Sequence, residues 1–284
     1  MNPITNAVRA GFARGRIELR NTLTSGEDLA GTIIPMVLLL VVMIFMRGAT
    51  VPGTEFSLGS AAVPGVLGMQ VVFGGMIGVA GQLMVDREDG TLLRAKATPH
   101  GMLGYLIGKI TTLSATVVVS LLVILVPALL LFDGLFGGGL GAWVGFLAVL
   151  VLGMAATMPL GAVIGSLTAN PRNMGLVMLP FMGLAAISGI FYPIIALPEW
   201  VQWIAQVFPM YWLGLGMRSA MLPDALVVAE LGESWRHLET IGVLGVWSVA
   251  GLVLAPILLR RMARRESGSA VAARRERAMQ RVGP

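Results

Sequence analysis

The sequence predicts an all-α integral membrane protein with about six transmembrane helices. Composition points there first: of 284 residues, 56% are hydrophobic and 12% charged, and the mean hydropathy is +0.83. A soluble domain carries about 25% charged residues, so this chain lacks the polar surface that water would require. The second observation is a series of apolar runs long enough to cross a hydrocarbon core, which takes about 20 helical residues. The third is that the basic residues collect between and beyond those runs, as they do in membrane proteins of defined orientation.

In chain order, the expected spans are Leu29–Met46, Val63–Val85, Met102–Phe132, Leu140–Leu167, Met174–Leu197 and Thr240–Leu259. A further apolar stretch, Trp200–Met217, contains Pro209, Gly214 and Gly216. It follows the fifth span too closely to cross by itself. Broken backbone of this kind is tolerated at membrane depth only when buried in protein or lining a cavity, so it is expected to be re-entrant or interfacial.

With the amino terminus placed inside the cell, all but three of the 20 basic residues fall on the inner side, the exceptions being Arg47, Arg218 and Arg236. The inverted topology reverses that ratio, so both termini are expected in the cytoplasm. Three regions follow: a leading interfacial helix in 1–28, a six-helix domain in 29–259, and a basic tail in 260–284. In the leader, Val8, Phe12, Leu19 and Leu23 form a stripe at helical spacing beside Arg9, Arg16 and Arg20, a pattern suited to the inner headgroup layer. The leader has no apolar core and no small-residue cleavage site, so it does not read as a signal peptide. The tail reads as a disordered anchor to anionic lipid.

Several chemistries are disfavoured. There is no cysteine, which removes disulfides and thiolate metal sites. His100 and His237 stand far apart without neighbouring ligands. The basic residues flank apolar spans instead of interleaving with aromatics, so nucleic acid is not an expected partner. Gly108-Lys109 is the one Gly-Lys pair, but Leu103 stands where a phosphate-binding loop needs glycine and Ile110 where it needs Ser or Thr. No Ser-His-Asp set or carboxylate pair lies within the spans, so membrane-embedded catalysis is not expected. Lys109 is the deepest charge and is expected to snorkel inward. Ion-coupled carriers rely on buried ionisable residues, and their scarcity here points to an apolar or amphipathic substrate. The pairs Gly74/Gly78, Gly104/Gly108 and Gly161/Gly165 have the spacing that lets membrane helices approach closely.

Two polar segments remain. The first reads Asp86-Arg87-Glu88-Asp89-Gly90-Thr91-Leu92-Leu93-Arg94-Ala95-Lys96-Ala97-Thr98-Pro99. Gly90 permits a sharp turn, Pro99 marks an end, and Leu92 with Leu93 offers an apolar knob for a cytoplasmic partner. The second runs from Ser188-Gly189-Ile190-Phe191-Tyr192-Pro193 through Leu197-Pro198-Glu199-Trp200 to Phe208-Pro209 and Arg218. Its prolines break the helix at the outer face, and Trp200, Trp203, Tyr211 and Trp212 suit an aromatic belt.

The first segment resembles the coupling region of type-two ABC exporter permeases, whose pattern of acid-Arg-Glu-x-Gly-Thr-Leu and a later Ser/Thr-Pro is matched by Asp86, Arg87, Glu88, Gly90, Thr91, Leu92, Thr98 and Pro99. Leu93 stands where that family often has an acid, and Ala95-Lys96 where it has an apolar pair. The second segment is similar to the family's Ser-Gly-x-x-x-Pro, Pro-x-Trp, Asn-Pro and later Arg, with Phe208 replacing Asn. Within the family the chain looks most like the permeases of daunorubicin-resistance-type drug exporters.

The resemblance implies a permease subunit in a bacterial inner membrane. It would be driven by a separate ABC ATPase that carries the ATP and Mg, no cofactor being held by this chain. It implies a second permease copy, contact with membrane lipid, and a small hydrophobic or lipid-like substrate. Asp86, Arg87, Glu88, Gly90, Thr91 and Leu92 would couple to the ATPase. Ser188, Gly189, Phe191, Tyr192, Pro193 and Trp200 would line an outer gate. Export of a lipid or glycolipid by the same fold is the alternative within transport; a non-transporting assembly or sensory subunit is the alternative outside it, and a secondary carrier comes third.

Overall fold

The computed structural model describes residues 3–51, 55–98, 100–168, 174–190 and 193–265. It is built from helices α1 (Pro3–Thr24), α2 (Gly26–Phe45), α3 (Leu58–Val72), α4 (Val79–Glu88), α5 (Thr91–Lys96), α6 (Gly101–Leu131), α7 (Leu140–Leu167), α8 (Met174–Ile187), α9 (Glu199–Val207), α10 (Pro209–Met221) and α11 (His237–Arg265). A single π turn, Phe73–Gly78, joins α3 to α4 without a break in the helix. This is an all-α, multi-pass membrane protein. Among the described residues, 5 helices are long and apolar enough to cross a membrane: Leu29–Gly48, Leu58–Glu88, Gly101–Leu131, Leu140–Leu167 and His237–Arg264.

The expected fifth span corresponds to α8, which has 14 residues and is therefore about 21 Å long, short of a core about 30 Å thick. It stops before Gly189, whose φ of 70° takes the backbone into the left-handed region that glycine tolerates. At the chain's end α11 runs beyond the expected limit, through Arg260 and Arg261 to Arg265. The remainder of the basic tail lies outside the described residues.

Glycines set the closest helix contacts, because without a Cβ two backbones can approach in lipid. The first turns of α6 lie on α1: a Cβ at Gly11 would sit 2.7 Å from Gly104 O, and one at Gly15 2.9 Å from Gly108 O. In α7, a Cβ at Gly161 would reach 2.3 Å from Gly75 O in the π turn, and one at Gly165 would meet Ala80 at 3.0 Å. Gly74 abuts Val117 of α6, whereas Gly78 meets no neighbouring helix. Where α3 crosses α10, Gly68 faces Gly214, with 3.1 Å from a Cβ built at Gly68 to Gly214 Cα.

The stretch expected to be re-entrant forms a hairpin. Helix α9 descends to Phe208, and α10 climbs back antiparallel to α7, with Ala220 beside Gly145, Gly216 beside Val149 and Leu213 beside Gly153. Pro209 starts α10 without losing a helical hydrogen bond, since its N–H would be unpaired there anyway. The vertex is held at mid-depth: Trp247 Nε1 of α11 donates to Val207 O at 2.9 Å, and the Trp247 ring stacks on Phe208. Nearly all of α10 is buried, and with α3 it centres the large core. A smaller cluster at the opposite, basic end joins Leu83, Leu92, Ala95, Tyr105, Ala255, Leu259 and Met262.

Candidate functional site

The basic end is organised around the turn between α4 and α5. Gly90 has φ 78°, and Asp89 Oδ1 accepts the Thr91 N–H at 2.7 Å, which starts α5 after a sharp turn. Leu92 is 1% exposed and Ala95 7%; both pack into the small core. Lys96 Nζ donates to Ala263 O near the end of α11 at 2.9 Å. Arg87 Nη1 donates to Thr168 O, just past α7, at 3.3 Å. The six-residue helix α5 is thus tied to α4, α6 and α11 through its inner face.

The outer surface of this turn carries exposed Glu88, at the end of α4, with Asp89, Arg94 and Ala97, and Leu93 is half-exposed. The expected Leu92–Leu93 knob is therefore only Leu93. Neighbouring positions on a helix point in different directions, and the inner apolar cluster holds Leu92. Thr91 and Gly90 are also buried, and Pro99 lies outside the described residues.

Asp86 is 3% exposed and points into the protein. Its Oδ2 lies 3.0 Å from Lys109 Nζ and accepts the Tyr105 hydroxyl at 2.8 Å, while Oδ1 accepts Gln82 Nε2 at 3.4 Å. Lys109 also lies 3.3 Å from Glu18 Oε2. Glu18 in turn pairs with Arg14, Nε to Oε1 at 2.8 Å, and the Arg14 guanidinium lies over the Tyr105 ring. The Thr112 hydroxyl sits 3.1 Å from Gly15 O and 3.3 Å from Glu18 Oε2. Lys109, expected to snorkel, is instead held between two carboxylates. Burial pushes the Glu18 carboxyl up, but hydrogen bonding and charge from Arg14 and Lys109 outweigh it and leave the group below the usual carboxylate range. The network joins α1, α4 and α6, and sequence reasoning missed it. A Glu inside the leader's arginine stripe and a Lys two turns into a span were the available signals.

At the far end, Arg218 of α10 is buried beside Glu230. Its Nε and Nη2 donate to the two Glu230 oxygens, the second at 3.1 Å, and Nη1 donates to Gly189 O at 3.1 Å. Ser188 is buried, and its hydroxyl donates to Ala185 O at 2.8 Å. Pro193 lines a cleft with Ala62, Leu222, Leu226, Trp235 and the ion pair. Trp200 is 67% exposed and Trp203 65% exposed on α9, away from that cleft and suited to the belt position. Phe191 and Tyr192 lie outside the described residues. The structure thus brings Ser188, Gly189 and Pro193 together with Arg218, and it leaves Trp200 apart.

The described residues form a multi-pass α-helical membrane bundle with a clamped turn-helix at one end and a hairpin of two short helices at the other. Residues 50–257 match the model of the ABC-2 family transporter protein. The chain belongs to that family, as the permease subunit of an ABC transporter. No curated protein matches the chain in sequence.

Proposed function

We propose that the chain forms half of the membrane pathway of an ATP-driven exporter. It resides in a bacterial inner membrane with both termini cytoplasmic, and a second copy completes the pathway. A separate ATPase subunit, holding ATP and Mg, docks on the outer face of α5 and drives hydrophobic or amphipathic compounds of the drug type outward.

One observation carries this reading: α5 is fixed to three helices on one side, and together with the end of α4 it presents Glu88, Leu93 and Arg94 on the other. A body that moves α5 must also move α4, α6 and α11. ATP can shift the permease only through a difference in how well the ATPase fits its two conformations, and α5 is the element able to transmit that difference. Orientation rests on the charge distribution of the sequence. The second copy suits the α2 span, whose window is only 11% buried within the chain, leaving Leu38, Val42 and Phe45 exposed.

The test pairs two substitutions. Glu88→Ala with Leu93→Asp keeps the inner face of α5 intact, and co-purification with the ATPase encoded beside the gene is expected to fall at least about tenfold. Leu92→Ala opens a cavity in the small core and is expected to lower permease stability by about 2–5 kcal/mol. Undiminished capture and ATP hydrolysis in the first variant would overturn the docking assignment.

A further inference from the structure

The Arg218–Glu230 pair, with the Gly189 carbonyl, joins three parts of the chain. Arg218 belongs to the rising arm of the hairpin. Gly189 ends α8. Glu230 follows the 3-10 turn Asp224–Ala229, in a strap from Leu222 to Trp235 that lies over the start of α3. The strap is braced internally, with Trp235 Nε1 donating to Asp224 Oδ1 at 2.9 Å. It is anchored by Leu226, Glu230 and Trp235, each under 9% exposed, while Asp224, Ala225, Val228 and Gly232 face outward. Beneath it is the cleft lined by Ala62, Ile190, Pro193 and Leu222.

We propose that Arg218 and Glu230 are the positioning residues that hold the outer gate of this permease shut. This inference rests on the exporter reading above, since that reading places the strap on the outer side. The argument is one of desolvation. A buried ion pair is tolerable while every donor and oxygen is matched, and here Nε, Nη1 and Nη2 all have acceptors. A pair fully exposed to water is tolerable too, because both ions are hydrated. The intermediate, in which the strap lifts and one ion remains in the apolar cleft, carries an uncompensated charge. The pair therefore divides the gate into a dry closed state and a wet open state. Gly189 O takes the third donor, so Arg218 also ties the end of α8 to the closed arrangement.

The chain has no cysteine, so one introduced thiol reports on one position. Ala62→Cys places it on the cleft wall under the strap. The permease in right-side-out vesicles, without nucleotide, is treated from outside with a membrane-impermeant maleimide. In the Ala62→Cys background labelling is expected to be slow. Adding Glu230→Gln, which leaves Arg218 as a buried unmatched cation, is expected to speed labelling about tenfold or more. Adding Arg218→Met with Glu230→Leu removes both charges and keeps apolar volume, and labelling is expected to stay at or below the background rate.

Labelling of the Glu230→Gln form at the background rate overturns the proposal. Equally fast labelling of the doubly apolar form also overturns it, because closure would then depend on packing at those positions and not on the pair. Resting accessibility needs no ATPase. A failure here leaves the docking assignment standing, and a failure of docking leaves the resting rates of these forms unchanged.

Discussion

Lys109 lies with its ammonium 3.0 Å from a carboxylate oxygen of Asp86, linking the third turn of α6 to the last turn of α4 just before the α5 turn. Lys109 is 12% exposed through its side chain, and Asp86 5%. Removing the cation leaves a desolvated carboxylate without its counter-charge, which in buried pairs costs about 3–5 kcal/mol. Lys109→Met is therefore expected to lower the unfolding midpoint of the detergent-solubilised permease sharply. Lys109→Met with Asp86→Leu should recover most of the loss, since neither charge is then stranded. A double variant no more stable than the single one would show that the pair is not what is being lost.

The contact of α1 with α6 depends on missing side chains. Gly15→Ala places a methyl group about where Gly108 O and Thr111 now pack, an overpacking that costs roughly 1–3 kcal/mol. Hydrogen exchange across α1 should accelerate about fivefold or more while α7 is unchanged. Equal exchange in both forms of the protein would mean that α1 is held by charge alone.

Acid should loosen the same helix. The Glu18 carboxyl is held below its usual value of 4.5, so its folded form binds a proton less readily than the unfolded chain. The stability it contributes is fully present above that usual value and declines as pH falls through the lowered one. Protection of α1 amides is thus expected to be flat from pH 7 to about 5 and to weaken below it. Glu18→Gln should start from weaker protection and show a shallower acid limb.

Two glycines on the long spans should separate packing from composition. Gly161→Ala drives a Cβ into the Gly75 and Met76 carbonyls of the π turn, whereas a Cβ at Gly245 meets nothing within 4 Å. Gly161→Ala is expected to destabilise by about 1–3 kcal/mol. Gly245→Ala should be neutral or slightly stabilising, because alanine restricts the unfolded backbone. Thermal unfolding of both variants in one detergent decides the comparison.

The parts of the fold that depend on solvent were legible in the sequence. Leu140–Leu167 was read with the limits that α7 has, because an uninterrupted apolar run has few ways to be solvated other than as a span. The hairpin at Pro209 was read from broken backbone, though its burial was not: α10 fills the centre of the bundle, where a surface-lying piece was also allowed. What stayed hidden were contacts between distant residues. Glu18 and Lys109 each stand out in their own windows, but only tertiary packing brings them together. Leu92 and Leu93 are equivalent by composition, and the direction of the helix on its neighbours decided which one turned inward. Glu230 closes a short apolar run, Ala225–Ala229, that is too brief to show a periodicity, and its partner Arg218 lies in another element.

The glycine seat of α1 on α6 also sets an order of assembly. The Thr112 hydroxyl that meets Gly15 O belongs to a residue 97 positions further along the chain. At roughly 5–20 residues per second, α1 leaves the ribosome roughly 5–20 s before the helix that receives it has been made. During that interval its glycine edge and Glu18 face water or headgroups. A helix made well before α6 must thus wait for α6 before it can dock. A nascent chain halted before residue 104 should hold α1 only through its contact with the membrane surface.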